Sequence, residues 1–212
     1  MKKVAVFIAR GFEEIEAETV VDYLRRAEVD VTTIAIPERN TVESSPLVEG
    51  SHAIAVVTDM QLNAYLYSLK DSLPDAVYCP GGMPGAGNIG ACDPAIDLLK
   101  KMNDAGKMIA AICAAPVVVL AKTGILAGKK YTCYPGMEEG LVNYCGSHAK
   151  MQELMKGSSL IRNVPFVHDG NLLTGRGPGT AEQFAMEFVR TLCGEETARR
   201  IGTGACQREF GA

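Results

Sequence analysis

Short apolar segments alternate with longer amphipathic segments along this chain, and that alternation restricts the fold more than any other feature. Val4–Ala9 and Val29–Ile36 have the length and β-branched content of buried strands, and Glu13–Ala27 between them has helical spacing of its apolar residues. A strand, a helix and a strand within about 35 residues form a βαβ unit, whose crossover is right-handed. The sequence therefore predicts an α/β fold with a doubly wound, mostly parallel sheet.

The rest of the chain continues this pattern. Further strands are predicted at Asp75–Cys79, Met108–Ile112, Tyr131–Cys133, Phe166–Val167 and Leu172–Thr174. Further helices are predicted at Asp93–Asp104, Ala115–Lys122 and Thr180–Leu192, the last with Thr180 as N-cap. A small hairpin or excursion is expected within residues 40–58. No linker or repeat marks a second domain, so we expect a single domain over residues 1–202 and a C-terminal tail over 203–212.

The first predicted helix combines an apolar face with an acidic first turn. The expected buried face comprises Ile15, Val20, Tyr23 and Leu24. The first turn holds Glu13, Glu14 and Glu16, where the helix dipole favours negative charge. We expect two of these acids to be solvated and one to face a crevice in the fold.

Composition excludes several classes of protein. The chain has 212 residues, 47% hydrophobic, with a formal net charge of −4, which argues against disorder and against nucleic-acid binding. Its seven cysteines form no CxxC pair, so zinc knuckles and thioredoxin-type redox pairs are unsupported. The N-terminus does not resemble a secretory signal, and no apolar run approaches the roughly 20 residues that span a bilayer. We expect a cytoplasmic protein with no cofactor and no metal.

Cys113 stands where a predicted strand runs directly into a predicted helix. Small residues surround it in the segment AAICAAP (110–116), as in a nucleophile elbow, where the turn is tight. A helix N-terminus at this point would favour a thiolate and offer N–H groups to a developing oxyanion. The sequence therefore singles out Cys113 as a candidate nucleophile, against the alternative of a buried, inert cysteine.

Glycines follow another predicted strand and suit a site beside this thiol. Gly81 and Gly82 permit a sharp turn that aims N–H groups into a crevice, which makes Gly82 and Ala114 candidate oxyanion donors, against the alternative of a merely flexible loop. The segment 85–90 matches GxGxxG, but it does not begin at the strand end and lacks the downstream acid of a dinucleotide site.

Histidines do not provide an obvious base. The chain has only His52, His148 and His168, and none is adjacent to Cys113 in sequence. His168 precedes Asp169-Gly170 and is expected in a turn. Arg176, between the last strand and the last helix, is predicted to pair either with an acid of the protein or with an anionic ligand.

Four segments together resemble the DJ-1/ThiJ/PfpI superfamily, and specifically its DJ-1 (ThiJ) branch. They are ARGFEEIEA (9–17), PGGMPG (80–85), AAICAAP (110–116) and TGRGPGT (174–180), in the order and at the spacing of that family. The resemblance covers roughly residues 2–200. It implies a flavodoxin-like sandwich with helices on both faces of the sheet, usually assembled as a homodimer.

The resemblance also implies roles for individual residues. Cys113 matches the reactive, oxidation-sensitive cysteine, and Glu16 matches a usually protonated carboxyl that hydrogen-bonds the thiol. Gly82 and Ala114 match the oxyanion side, while Arg26 matches a basic residue that reaches the partner subunit's site. Three departures concern Tyr134, where a histidine is common, His52, where some relatives carry arginine, and Ala114, where relatives with peptidase activity have histidine.

Three functions remain open on these grounds. The resemblance to glyoxalase III-type and deglycase members implies an enzyme in which Cys113 attacks a small reactive carbonyl and Glu16 moves a proton. A second hypothesis is a non-enzymatic redox sensor or stress-response chaperone that uses oxidation of Cys113. A third is an amidase, a peptidase or a thiamine-pathway protein, which the absence of a clear Cys–His pair disfavours. Because one elbow permits all three, fold does not choose among them.

Overall fold

Seven strands form one central sheet in the computed structural model, which describes residues 1–38, 45–70 and 72–208. The strands are β1 (Lys3–Ile8), β2 (Asp30–Ala35), β3 (Leu47–Glu49), β4 (Ala55–Val57), β5 (Met60–Gln61), β6 (Ala76–Cys79), β7 (Met108–Ile112), β8 (Lys130–Tyr131), β9 (Ser159–Leu160), β10 (Phe166–Asp169) and β11 (Leu172–Gly175). The central sheet has the order β10-β11-β7-β6-β1-β2-β5. All its pairings are parallel except that of β10 with β11.

Helices cover both faces of this sheet. They are α1 (Glu14–Arg26), α2 (Leu62–Leu69), α3 (Gly85–Ala91), α4 (Asp93–Asp104), α5 (Leu141–Cys145), α6 (His148–Leu154), α7 (Ala181–Cys193) and α8 (Glu195–Gly204). The segment after β7 is a π-helical turn, Pro116–Leu120, followed by a 3-10 turn, Ala121–Thr123. The two remaining pairs of strands are the hairpin β3–β4 and the parallel pair β8–β9.

Alternate residues of the central strands enter two separate apolar cores. Along β1, Phe7 belongs to the core that includes Leu99 of α4, whereas Val6 belongs to the core that includes Phe184 of α7. Successive side chains of a strand point to opposite faces, so strands covered on both faces consist of nearly continuous apolar residues. This is the doubly wound, flavodoxin-like architecture that the sequence predicts.

Most predicted elements appear with boundaries shifted by one to three residues. The strand Met108–Ile112 and the helix Asp93–Asp104 have the predicted boundaries, and the hairpin expected within residues 40–58 is β3–β4. Residues 40–44 of that stretch lie outside the described residues. Sequence reasoning missed α2, α3, α5, α6 and α8, because three of them have seven residues or fewer and their apolar periodicity is short.

Two local predictions, for Ile15 and His168, are wrong, and the prediction for Thr180 is right only in position. Ile15 is 57% exposed instead of lying on the buried face of α1, where Glu14 and Glu16 are buried in its place. Thr180 stands at the N-cap position of α7, as predicted, but its hydroxyl bonds the backbone of Gly177 and makes no capping hydrogen bond to the helix. His168 lies on β10, where its Nδ1 is 2.9 Å from Oε1 of Glu187, and not in a turn.

The C-terminal segment is only partly described. Residues 203 and 204 complete α8, and Gln207 beyond it is buried. Residues 209–212 of the predicted tail lie outside the described residues. Among the helices that the structure describes, none is both long enough and apolar enough to cross a membrane.

Candidate active site

Cys113 occupies a left-handed backbone conformation between β7 and the π-helical turn. Its φ of 62° is unusual for a residue with a Cβ atom and places the residue in a sharp turn. Two backbone hydrogen bonds hold it there, since its N–H donates to the Gly175 carbonyl (3.0 Å) and its carbonyl accepts from Tyr134 N–H (2.8 Å). The thiol is half-buried. The backbone geometry is therefore that of the elbow the sequence predicts.

Glu16 faces this thiol from the first turn of α1 and is completely buried. The Gly81 N–H donates to Oε2 of Glu16 at 2.8 Å, and the Cys113 thiol lies within hydrogen-bonding range of the carboxyl group. The other oxygen, Oε1, is buried and has no well-aligned hydrogen-bond partner among the described residues. A buried carboxylate oxygen without a donor is costly, so this arrangement favours a proton on Oε1.

The raised pKa of Glu16 agrees with a proton on its carboxyl group. Burial raises the pKa of Glu16 to about 7, even though hydrogen bonds from Gly81 and Cys113 lower it. Burial also raises the pKa of Cys113 well above its usual range, and the charge of Glu16 raises it further. The backbone N–H groups of Gly82 and Ala114 donate toward Cys113 and lower its pKa, but they do not offset burial. Because two buried negative charges side by side are unfavourable, the Cys113 thiolate is disfavoured while Glu16 is ionised.

The loop after β6 is shaped by two glycines. A Cβ atom on Gly81 would lie 2.6 Å from both the Cβ of Cys113 and Oε2 of Glu16, so any other residue there would force these atoms to move. Gly82 has a φ of 83°, and its Cβ would meet Glu13 N at 2.4 Å. Gly81 and Gly82 thus permit the close approach of the loop to Cys113. The donors expected for an oxyanion, Gly82 and Ala114, lie around the sulfur.

All three acids of the first turn are buried, contrary to the expectation that two are solvated. Burial would raise the pKa of Glu14, but hydrogen bonds from the ring and backbone of His52 lower it to about 2. Nδ1 of His52 is 2.8 Å from Oε2 of Glu14, and Ser51 Oγ donates to both Glu13 and Glu14 at 3.2 Å. This network joins the hairpin β3–β4 to the start of α1.

One set of side chains has the spacing of metal ligands. Glu13, Glu14 and His52 place one ligand atom each within 4.8 Å of one another. Hydrogen bonds within the network already involve these groups, and Glu13 accepts from Ser51. The network is sufficient to account for the cluster without a metal ion.

The accessory residues that the sequence proposes do not converge on the thiol within this chain. The Tyr134 backbone bonds Cys113, but its half-exposed ring lies against Gly177, with a Cβ on Gly177 placed 3.3 Å from Cδ2 of the ring. His52 bonds Glu14, and the exposed Arg26 donates to Asp22 at 2.5 Å. Arg176 pairs with no acid among the described residues.

Tyr78 is a site residue that sequence reasoning missed. It lies on β6, is completely buried, and its hydroxyl donates to the backbone carbonyl of Glu16 at 3.0 Å. Glu16 is therefore held at its backbone by β6 and at its carboxyl by the loop that follows β6. A tyrosine within an otherwise apolar strand was the available signal, since a buried hydroxyl requires a partner.

Comparison with known proteins gives a consistent result. The family model described as "DJ-1/PfpI family" matches residues 2–191. The chain is 35% identical over 205 residues to protein dj-1beta of Drosophila melanogaster, covering 96% of each. The crystal structure of Drosophila DJ-1beta superposes with a TM-score of 0.79 over 96% of this chain and 97% of that one.

Two further relatives differ in length and in name. The chain is 34% identical over 200 residues to protein DJ-1 homolog B of Arabidopsis thaliana, covering 94% of this chain but 40% of that protein. It is 29% identical over 197 residues to a Caenorhabditis elegans protein named glutathione-independent glyoxalase DJR-1.2, covering 92% of this chain and 90% of that protein.

Proposed function

The chain belongs to the DJ-1/PfpI family, and on that premise we propose that it is a cysteine-dependent enzyme that converts small 2-oxoaldehydes into 2-hydroxy acids. The observation that carries the proposal is the buried pair of Cys113 and Glu16, in which the thiol lies within hydrogen-bonding range of a carboxyl group whose pKa is raised to about 7. Such a pair supplies a nucleophile and a proton carrier at one point. The name of the C. elegans relative supports the same class of substrate.

The first step joins the thiol to the substrate. With methylglyoxal as substrate, the Cys113 thiolate attacks the aldehyde carbon, C1, and a carbon–sulfur bond forms. The aldehyde oxygen takes the Glu16 proton and becomes the hydroxyl of a hemithioacetal. The N–H groups of Gly82 and Ala114, which donate toward the sulfur, are the nearest donors for the negative charge that develops on this oxygen.

The next steps transfer protons and then release the product. The Glu16 carboxylate removes the proton from C1, the electron pair forms an enediolate, and Glu16 returns the proton to C2. The proton of the C1 hydroxyl moves to the C2 oxygen, which leaves a thioester of lactate on Cys113. Water adds to the thioester, the carbon–sulfur bond breaks, and lactate and the thiol are released. The net reaction adds one water to methylglyoxal and requires no glutathione.

We expect Cys113→Ala to reduce lactate formation from methylglyoxal to the uncatalysed rate, because the nucleophile is absent. Glu16→Gln should lower kcat/KM by about a hundredfold or more, the usual range for loss of a general acid–base group. Lactate is measured enzymatically with purified protein. Cys193→Ala, which alters another half-buried thiol, and Glu153→Gln, on exposed α6, are the matched controls. Equal rates for wild type and Cys113→Ala would exclude this mechanism.

A second candidate function is redox sensing by the same thiol. The half-buried Cys113 has a protonatable carboxyl and two N–H donors around its sulfur, a suitable setting for an oxidised sulfur acid. With hydrogen peroxide, the thiolate attacks one oxygen, the departing hydroxide takes the Glu16 proton to form water, and a second peroxide converts the sulfenic acid into a sulfinic acid.

Peptide mass spectrometry after mild peroxide treatment distinguishes this function. We expect a two-oxygen adduct on Cys113 before any on Cys206, although Cys206 is the more exposed thiol. An adduct that forms first on Cys206 would contradict redox sensing by Cys113.

A further inference from the structure

A small cavity lies behind the elbow, at the carboxyl ends of β8, β9 and β11. It has a volume of about 70 Å³, and its lining includes Cys133, Glu138, Leu160, Arg162 and Arg176. In α/β sheets the carboxyl ends of the strands are where ligands bind. None of the residues proposed above to react with the carbonyl substrate lines this cavity.

The charges around the cavity favour an anion. Arg162 Nη2 forms an ion pair with Oε1 of Glu138 at 3.0 Å. Within the described ranges, the Arg176 guanidinium has neither a hydrogen bond nor an ion pair. Two guanidinium groups and one carboxylate leave one net positive charge, so a monoanion would neutralise the site. Arg guanidinium groups bind carboxylates through paired N–H donors.

The Glu138 carboxylate, which accepts from Arg162 through Oε1, has a second oxygen without a hydrogen-bond donor among the described residues. Oε2 of Glu138 is buried and, among the described residues and their polar groups, has no hydrogen-bond partner. A buried carboxylate oxygen without a donor carries a desolvation cost that an N–H or O–H group would remove. The site therefore suits a ligand that has an anionic group for Arg176 and a donor for Glu138.

The volume of the cavity limits the ligand to a small molecule. A cavity of 70 Å³ has room for roughly five to seven water-sized groups. A two- or three-carbon carboxylate with a neighbouring hydroxyl has five or six heavy atoms. Leu160 and the Cys133 thiol provide the apolar contact that its carbon atoms require.

We propose that this cavity is a binding site for a small 2-hydroxycarboxylate, whose carboxylate binds Arg176 and whose hydroxyl donates to Glu138. Backbone hydrogen bonds connect the site to the reactive centre. Arg176 follows Gly175, which accepts the Cys113 N–H, and Cys133 precedes Tyr134, which donates to the Cys113 carbonyl. A ligand here contacts both segments that hold the elbow in its left-handed conformation. The binding does not depend on the proposed reaction, although the product of that reaction belongs to the same chemical class.

Isothermal titration calorimetry with glycolate, acetate and glycolamide tests the site on the Cys113→Ala protein, which removes any turnover. We expect saturable binding of glycolate at a one-to-one ratio. Acetate, which lacks the hydroxyl donor, and glycolamide, which lacks the charge, should each bind about tenfold more weakly or worse. Comparable heats for all three compounds, or none for glycolate at millimolar concentration, would overturn the proposal.

Two substitutions locate the binding within the molecule. Arg176→Gln should weaken glycolate binding by about tenfold or more, whereas Arg199→Gln, which alters an exposed arginine of α8, should leave it unchanged. Glu138→Gln should reduce the preference for glycolate over acetate. Arg176→Gln removes no side-chain hydrogen bond or ion pair found among the described residues, and a circular dichroism melt checks that it folds. Unchanged affinity in a folded Arg176→Gln protein would place the ligand elsewhere and refute the assignment.

Discussion

At the scale of single residues, Cys113 and Glu16 form one chemical unit and not two independent groups. Burial raises the pKa of both groups. In addition, the hydrogen bond from Cys113 lowers the pKa of Glu16, and the charge of Glu16 raises the pKa of Cys113. Two groups this strongly coupled lose protons as a pair. The first proton leaves with the raised pKa of Glu16, near 7, and the remaining proton is then shared between carboxyl and thiol. Above that pH, the fraction of Cys113 present as thiolate equals the fraction of molecules in which the remaining proton is on Glu16.

The alkylation of Cys113 by iodoacetamide should therefore depend on pH in a specific way. In the wild type, the rate should rise about tenfold per pH unit up to about pH 7 and then level off, because the pair holds one proton above that value. In Glu16→Gln, no shared proton remains, so the rate should continue to rise beyond pH 7 without a plateau. Peptide mass spectrometry follows Cys113 separately from the other six cysteines.

Cys206 serves as the internal control in the alkylation experiment. Alkylation of the exposed Cys206 should respond identically to pH in the wild type and in Glu16→Gln, since Cys206 is not among the groups that interact with Glu16 or Cys113. If the two proteins give the same profile for Cys113, then Glu16 does not determine when the thiolate forms.

At the scale of elements, the site exists because three chain segments meet at one edge of the sheet. β7 ends at the elbow, β6 ends in the loop containing Gly81, and α1 begins with its acids turned inward. The inward acids explain why Ile15 is exposed: the residues on either side of it, Glu14 and Glu16, occupy the buried positions. The first turn of α1 thus buries carboxyl groups where an ordinary amphipathic helix would bury apolar side chains.

Gly81→Ala should destabilise the site where β6, β7 and α1 meet, although it adds only one methyl group. The added Cβ would lie 2.6 Å from Cys113 Cβ and from Glu16 Oε2, so we expect a loss of about 1–3 kcal/mol in the free energy of unfolding. Gly87→Ala is the matched control within α3, where the nearest atom is the Met83 methyl carbon at 3.8 Å. Because alanine is the better helix former, Gly87→Ala should stabilise the protein by up to about 1 kcal/mol.

Urea denaturation measures both variants. The alkylation rate of Cys113 should also fall in Gly81→Ala and remain unchanged in Gly87→Ala. Equal stability of the two variants would mean that the loop relaxes away from Cys113 at no cost.

At the scale of the whole molecule, one surface has exposed apolar side chains on neighbouring elements. Leu47 and Val57 lie opposite each other in the hairpin β3–β4 and are 57% and 74% exposed. Ile54 in the same hairpin is also exposed, and its N–H donates to Glu14, the residue before exposed Ile15. Large exposed apolar patches are typical of protein–protein interfaces. We therefore predict that this hairpin surface forms the interface of the homodimer that the family resemblance implies.

Val57→Asp should weaken that dimer, since it places a charge at an apolar contact. Light scattering after size exclusion should give the wild type twice the 22.6 kDa mass of the chain, and should give Val57→Asp a value close to the chain mass at low concentration. Tyr67→Asp is the matched control, because Tyr67 is 88% exposed on α2, which packs on the opposite face of the sheet. A monomeric wild type, or dimers in all three proteins, would reject this surface as the interface.

The sequence by itself determined the architecture, and it singled out one of the seven thiols as the candidate nucleophile. Periodicity of two and of about 3.6 residues is a local property, so the buried strands and the longer helices can be read from neighbouring residues. The position of Cys113 between a strand and a helical segment is equally local. Short helices such as α5 were missed because a few residues carry too little periodicity.

Only the tertiary structure decided which groups surround that thiol and in what state. Glu16 is 97 positions from Cys113 along the chain, and no local pattern distinguishes it from Glu13 or Glu14; the superfamily resemblance did. The roles of Tyr78, of the Ser51–His52 network and of the unpaired Arg176 likewise depend on which segments meet. The pKa values of Cys113 and Glu16 depend on their burial and on the groups that contact them. Residues that are distant in sequence provide both. The sequence thus singled out the candidate nucleophile, and the fold determined which carboxyl group lies beside it.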